Sequence, residues 1–289
     1  MLNVALTHDV DRIDKTFQYI TRFGTNLKQF RNYSLRSWMS NIFNPKAYYM
    51  IRDIMEIEEK HDVKSTFFFL QESIPFNLFH ISNWPLSLGY YRLNDKRLKK
   101  IYPVMLSGEW EIGLHGSYLS YENYDLLVKE KNLLENTIES PVYGIRQHFL
   151  NLSANTWSYQ AKAGFKYDTS WGYTRAIGFR DHQYQEFEPL KNSDFKVIPL
   201  ALMDFCVMQT REYIPAVIKV IERSIANNGI LVLNWHQRTF NDFEFPGYRK
   251  AYEEIIKLCL NYNATFFTLN DYLTCKEHSN WKQKKSSKF

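Results

Sequence analysis

Short apolar runs alternate with helical stretches along most of the 289-residue chain, and this alternation constrains the fold more than any other feature. Strands are expected at Val4–Leu6, Ser65–Leu70, Glu111–Leu114, Tyr143–Ile145, Phe165–Tyr167, Val197–Met203, Ile230–Trp235 and Ala264–Thr268. Helices are expected at Ala47–Lys60, Tyr121–Ile138, Ser153–Lys162, Tyr213–Ala226 and Tyr248–Leu260. Gly164 stops the third of these, and Asn227-Asn228-Gly229 stops the fourth. Such repetition requires a parallel sheet with helices packed outside it. About seven repeats predict an α/β fold, a distorted (β/α)-barrel of about seven parallel strands, rather than an open sheet. Two stretches break the rhythm, Asp14–Asn44 and Gln71–Asp95, and read as insertions on the site face. No internal repeat or linker divides the chain, so residues 1–275 are expected to form one barrel domain and 276–289 a basic tail.

In such barrels the chemistry sits at the C-terminal ends of the strands. Asp9, Asp11, His115, Arg146, Asp204 and His236 each lie at or just past an expected strand end. The run Leu6-Thr7-His8-Asp9-Val10-Asp11 places two carboxylates two residues apart, so an extended backbone turns both to one side. Two acids sharing a face repel each other unless a cation or an arginine lies beside them. One of them would serve as a base and the other as a metal ligand; the bland alternative is a pair of helix caps. Arg146 is expected to hold Asp9 ionised. His115 follows Gly113-Leu114 and is expected to bind metal. His148, two residues beyond Arg146, is a third ligand, a substrate contact or a core histidine. Asp204 would bind one nitrogen of His236 and raise its pKa, making His236 a proton donor to a leaving amine. The set suits metal-assisted amide hydrolysis, with Asp9 taking the proton of the attacking water.

Composition closes off other classes. The net charge of +5 owes much to Lys282, Lys284, Lys285 and Lys288 in the tail, and no basic face with interleaved aromatics appears, so nucleic acid is not an expected partner. Cys206, Cys259 and Cys275 are odd in number and lack a CxxC spacing, which argues against a disulfide framework and a cysteine zinc site. There is no signal-peptide pattern and no run long enough to span a membrane, so a cytoplasmic protein is the expectation. Aromatics make up 17% of the chain; most are expected in the core, and the remainder suit stacking on sugar rings.

The order Thr-His-Asp-Val-Asp, Gly-Leu-His-Gly-Ser-Tyr, Gly-Ile-Arg-Gln-His-Phe, Gly-Phe-Lys-Tyr-Asp-Thr-Ser and Leu-Asn-Trp-His resembles the polysaccharide deacetylases, the NodB-homology enzymes of carbohydrate esterase family 4. The resemblance covers roughly residues 2 to 275. It implies a distorted barrel and an N-deacetylase acting on N-acetylated sugars or a glycan precursor. It also implies a divalent metal, Zn2+ first among them, held by one Asp and two His. By that match Asp9 is the base, Asp11 the metal aspartate, His115 the first metal histidine and His236 the general acid. Tyr118, Asp168, Trp171 and Trp235, in or beside the motifs, are expected to touch substrate. The chain departs from the family pattern twice: Asp-Val-Asp replaces adjacent aspartates, and Leu119 stands where the second metal histidine usually is. A small-molecule amidase on the same barrel, like the allantoinase-type relatives, and a silent glycan-binding barrel are the alternatives.

Overall fold

A computed structural model of the chain describes residues 1–16, 18–21, 35–79 and 83–276. The basic tail 277–289, and residues 17, 22–34 and 80–82 of the two insertions, lie outside the described residues. Among the described residues nine strands form one sheet, and every pairing between them is parallel. They are β1 (Asn3–Val10), β2 (Ser65–Leu70), β3 (Glu111–Gly116), β4 (Gly144–Gln147), β5 (Tyr167–Asp168), β6 (Lys196–Val197), β7 (Leu202–Met203), β8 (Ile230–Asn234) and β9 (Thr265–Phe267). Their order across the sheet is β6-β5-β4-β3-β2-β1-β8-β7, with β9 on β1. The principal helices are α1 (Ile51–Lys60), α2 (Lys96–Ser107), α3 (Tyr124–Ile138), α4 (Thr156–Lys162), α5 (Tyr213–Ala226) and α6 (Tyr248–Asn261). This is the expected distorted (β/α)-barrel.

The expected strand Val197–Met203 is two strands. Its first end pairs with β5 and its second with β8, so one short segment reaches both edges of the sheet. Between them Ile198 N–H donates to Asp168 O at 2.8 Å and Ala201 N–H donates to Val232 O at 3.1 Å. Pro199 has no N–H to give, which suits a point where the ladder changes partner. The edge of β1 opposite β8 is shared: β9 pairs with Asn3–Ala5 and β2 with Leu6–Val10. The sheet therefore holds more strands than the expected seven.

β1 and β2 are buried along nearly their whole length, as strands covered on both faces must be. The period of two sends Phe67 and Phe69 to the helices and Phe68 to the interior, where it packs with Ala5, Tyr167, Ile198 and Val232. His8 faces the helices and is bonded to Glu58 of α1 and Tyr252 of α6, leaving Thr7 and Asp9 for the interior. An apolar plug thus fills the lower barrel, and Arg146 lies on it, 4.7 Å above the Phe68 ring. Asn123 caps α3 by accepting from Leu126 N–H at 3.0 Å, which starts the helix after the expected Tyr121. Among the described residues no helix is long and apolar enough to cross a membrane. Cys206 and Cys259 are buried free thiols.

Candidate active site

Polar groups gather at the C-terminal mouth of the barrel, around a cavity of about 430 Å³ lined by Asp9, Asp11, His115, His148 and His236 among others. Asp9 ends β1 with both oxygens held. Arg146 Nη1 donates to Oδ1 at 2.8 Å, and Asn234 Nδ2 donates to Oδ2 at 2.6 Å. Arg146 is itself fully buried and also donates to Thr7 Oγ1 and to Thr169 O. Burial alone would raise the Asp9 pKa, but the charges of Arg146, His115 and His236 outweigh it and leave the carboxyl at about 2.

His115 and His236 point their Nε2 atoms at this acidic pair, and all three imidazoles of the site have Nδ1 engaged. His115 Nδ1 is 2.8 Å from Arg146 O, and its Nε2 lies 3.4 Å from Asp11 Oδ1 and 3.8 Å from Asp9 Oδ2. His236 Nδ1 is 2.9 Å from Asp204 Oδ1, and its backbone N–H donates to Asp204 Oδ2 at 2.9 Å. Its Nε2 lies 3.8 Å from Asp11 Oδ2 and 4.0 Å from Asp9 Oδ2. His148 Nδ1 is 3.1 Å from Glu72 Oε2. Burial opposes charge on His115 and His236, yet the carboxylates win and raise both: Asp9 and Asp11 for His115, Asp204 first for His236. The same balance holds Asp11 well below the usual carboxylate range, with Arg238 the strongest counter to burial. Without more positive charge the pair of aspartates draws protons onto its neighbours.

The donor set fits a divalent cation. Asp11, His115 and His148 bring one ligand atom each within 4.8 Å of one another. Asp11 Oδ1 is buried without a hydrogen-bond partner among the described residues, while Oδ2 is bonded by Arg238. An orphaned carboxylate oxygen facing two imidazoles is a bonding gap that a cation with oxygen and nitrogen ligands fills. Leu119 offers nothing here: it is 41% exposed at the start of the short turn Ser120–Glu122. The imidazole that lies with Asp11 and His115 is that of His148, directly after β4. Directly after His148 the chain bends through Phe149 and Leu150, both at positive φ.

Arg146 and Asp204 are fully buried beneath Asp9 and His236 and make the contacts expected of them, Arg146 to the Asp9 carboxylate and Asp204 to Nδ1 of His236, so neither faces the cavity itself; other expected contacts differ. Asp168 does not reach the cavity; it is buried and bonded to Ser170 and Gln160 at the end of β5. Trp235 turns away as well, fully buried against Tyr248 and Tyr252, because its neighbour in the strand direction, His236, takes the inward face. Trp171 packs between Trp157 and Phe187 under Arg180, and Tyr118 packs on Phe149; neither lines the cavity.

Four functional neighbours were not found from sequence. Asn234 and Arg238 flank His236 in Asn-Trp-His-Gln-Arg, so the motif itself held the signal. Glu72 lies two residues beyond β2, where the strand-end rule applies as it does to the others. Gln147 follows Arg146, buried, with its Oε1 accepting from Ser120 Oγ at 3.1 Å. Gly116 makes room for it, since a Cβ there would lie 2.4 Å from that Oε1.

No family profile matches the sequence, and no curated protein matches it. Solved structures do. A polysaccharide-deacetylase candidate from Mycobacterium smegmatis is 17% identical with a TM-score of 0.61, over 98% of this chain and 91% of its own. A second such candidate, from Pseudomonas aeruginosa PAO1, is 13% identical with a TM-score of 0.58, over 94% and 90%. Puue allantoinase is 12% identical with a TM-score of 0.57, over 94% and 89%. The chain shares the barrel of these proteins.

Proposed function

We propose that this chain is a metal-dependent amide hydrolase that removes the N-acetyl group from an N-acetylated sugar or glycan precursor. The observation that carries the reading is the orphaned Asp11 Oδ1 facing His115 and His148, beside an Asp9 that is buried yet ionised. The shared barrel with polysaccharide-deacetylase candidates supports it.

Asp11, His115 and His148 would hold the cation. Bound there, a divalent ion supplies polarisation of the acyl oxygen and a lower pKa for an attacking water. Asp9 accepts the proton of that water at Oδ2, the oxygen turned toward His115 and His236. Arg146 and Asn234 fix the carboxylate, so no reorganisation is needed when the proton arrives. His236, with Asp204 on Nδ1, carries a proton on Nε2 and delivers it to the departing nitrogen. Phe205 packs against the His236 ring at 5.3 Å and limits its tilt.

The cavity volume of about 430 Å³ is that of a site for one small molecule or a short glycan end, and Tyr48, Tyr90, Phe149, Phe205 and Phe245 line it with rings. That size also favours a second reading, a small-molecule amidase, alongside the shared fold with an allantoinase. The test is acetate release by the purified, zinc-supplemented protein from N-acetylglucosamine, its short oligomers and simple acetamides. Release from the sugars supports the proposal. Release from simple acetamides alone moves the chain to the amidases. No release from any of them by protein that also takes up no zinc overturns the proposal and favours a silent glycan-binding barrel.

A further inference from the structure

The relocation of the second imidazole from the β3 loop to the end of β4 raises the question of what holds it. His115 gains a backbone carbonyl from the adjacent strand, a partner that no substitution removes. Among the described residues His148 has no such neighbour and is met instead by a buried carboxylate from the loop after β2. Glu72 is 4% exposed, and its Oε2 lies 3.1 Å from His148 Nδ1. The carboxylate is fixed from the other side by backbone donors: Ser73 N–H at 3.0 Å, and Tyr118 N–H at 3.2 and 3.3 Å from its two oxygens. One side chain thus ties the loops after β2, β3 and β4 to a single imidazole.

We infer that Glu72 is a positioning residue for the cation site: it accepts from His148 Nδ1–H, so that the Nε2 lone pair of His148 is presented beside Asp11 and His115. A carboxylate on the far nitrogen of a metal-binding histidine selects the tautomer, fixes the ring plane and raises the ligand's basicity. Here it does so for the one ligand that departs from the sequence pattern in which Leu119 stands, so Glu72 and His148 form one unit. The inference rests on the proposed cation site at Asp11, His115 and His148.

The experiment is titration of the purified chain with Co2+, followed by its visible absorption and by calorimetry, in the wild type, Glu72→Ala, Glu72→Gln, His148→Ala and the Glu72→Ala/His148→Ala double variant. Circular dichroism confirms that each is folded. The loss expected for Glu72→Ala is about 10- to 100-fold in Co2+ affinity. Glu72→Gln, which keeps an acceptor for Nδ1–H and for the backbone donors, recovers most of it. In the His148→Ala background, removing Glu72 costs nothing more. Wild-type affinity in both Glu72 variants, or an equal further loss in the double variant, overturns the inference while leaving the cation site intact. A wild type that takes up no Co2+ overturns the proposed function, and the inference falls with it.

Discussion

On one side of the cavity Asp9 and His236 take their partners from strand ends; on the other His148 takes its partner from a loop 76 residues away. Asp9 is clamped by Arg146 of β4 and Asn234 of β8, and His236 by Asp204 directly after β7. The Asn234 and Asp204 contacts follow from strand register, since β8 lies beside β1 and β7 beside β8, while Arg146 reaches Asp9 from β4 across the barrel interior. The His148 contact follows from no register. It requires three loops to converge on Glu72, and each loop residue has more backbone freedom than a strand residue. The strand-built side is expected to tolerate loop changes and fail at its chemistry; the loop-built side is expected to fail at cation binding.

The largest effect expected is from Asp9→Asn. Turnover should fall by about 10²- to 10⁴-fold, the usual worth of a general base, while cation affinity stays near the wild-type value. Rate assays beside a Co2+ titration check this; equal loss of cation in Asp9→Asn and Asp11→Asn would show the two carboxylates to be misassigned. On the loop side His148→Ala should weaken cation binding by more than the about 10- to 100-fold that a lost supporting contact costs. Unchanged cation content with weaker substrate affinity would place His148 among substrate contacts and erase the contrast between the two sides.

Asp204→Asn sharpens the strand-built side. Asp204 is the largest influence opposing burial on His236 and raises its pKa. A base with a raised pKa keeps its proton up to a higher pH, so activity that needs protonated His236 is present at low pH and lost as pH rises through that value. The variant should therefore move the alkaline limb of the kcat/KM profile to lower pH, with roughly a tenfold loss at neutral pH. An unmoved limb would mean that another group supplies the proton.

The remaining effect is on stability rather than activity and concerns the packing behind the loops. Glu130 on α3 accepts from Ser117 N–H at 3.1 Å, and its other oxygen is buried without a partner among the described residues. Burial, against the bonds from Ser117, pushes its pKa up to about 7. The unfolded chain ionises this group near 4.5, so the folded state loses stability as pH rises from there through about 7. Glu130→Gln should raise stability at pH 8 by on the order of 3 kcal/mol and leave it unchanged at pH 4. Chemical denaturation at the two values checks this, and identical shifts at both would remove the titration argument.

How much of this was legible in the sequence differs between the same two regions. Asp9, Asp11, His115, Arg146 and His236 were found because strand ends in a barrel meet at one mouth, and the structure places all five around one cavity or directly beneath it. Asn234 lies inside a motif the sequence displays, but an asparagine in an apolar strand takes on meaning only once its neighbour across the sheet is known. Glu72 and Arg238 lie near strand ends like the others, but which side chains they meet, His148 and Asp11, depends on loop paths that the spacing does not encode. Trp235 and Asp168 were misread because polar or aromatic character at a strand end does not say which face a residue takes, and both turned to packed surroundings. The single strand expected at Val197–Met203 became two because its halves pair with different edges, which the local pattern does not encode.

Anomalous diffraction at the zinc edge, from crystals of the chain grown with Zn2+, tests the central claim most directly. One strong peak is predicted at the mouth of the barrel, about 2.0–2.2 Å from a carboxylate oxygen of Asp11 and from Nε2 of both His115 and His148. A peak that leaves out His148, or no peak among these three side chains, would contradict it.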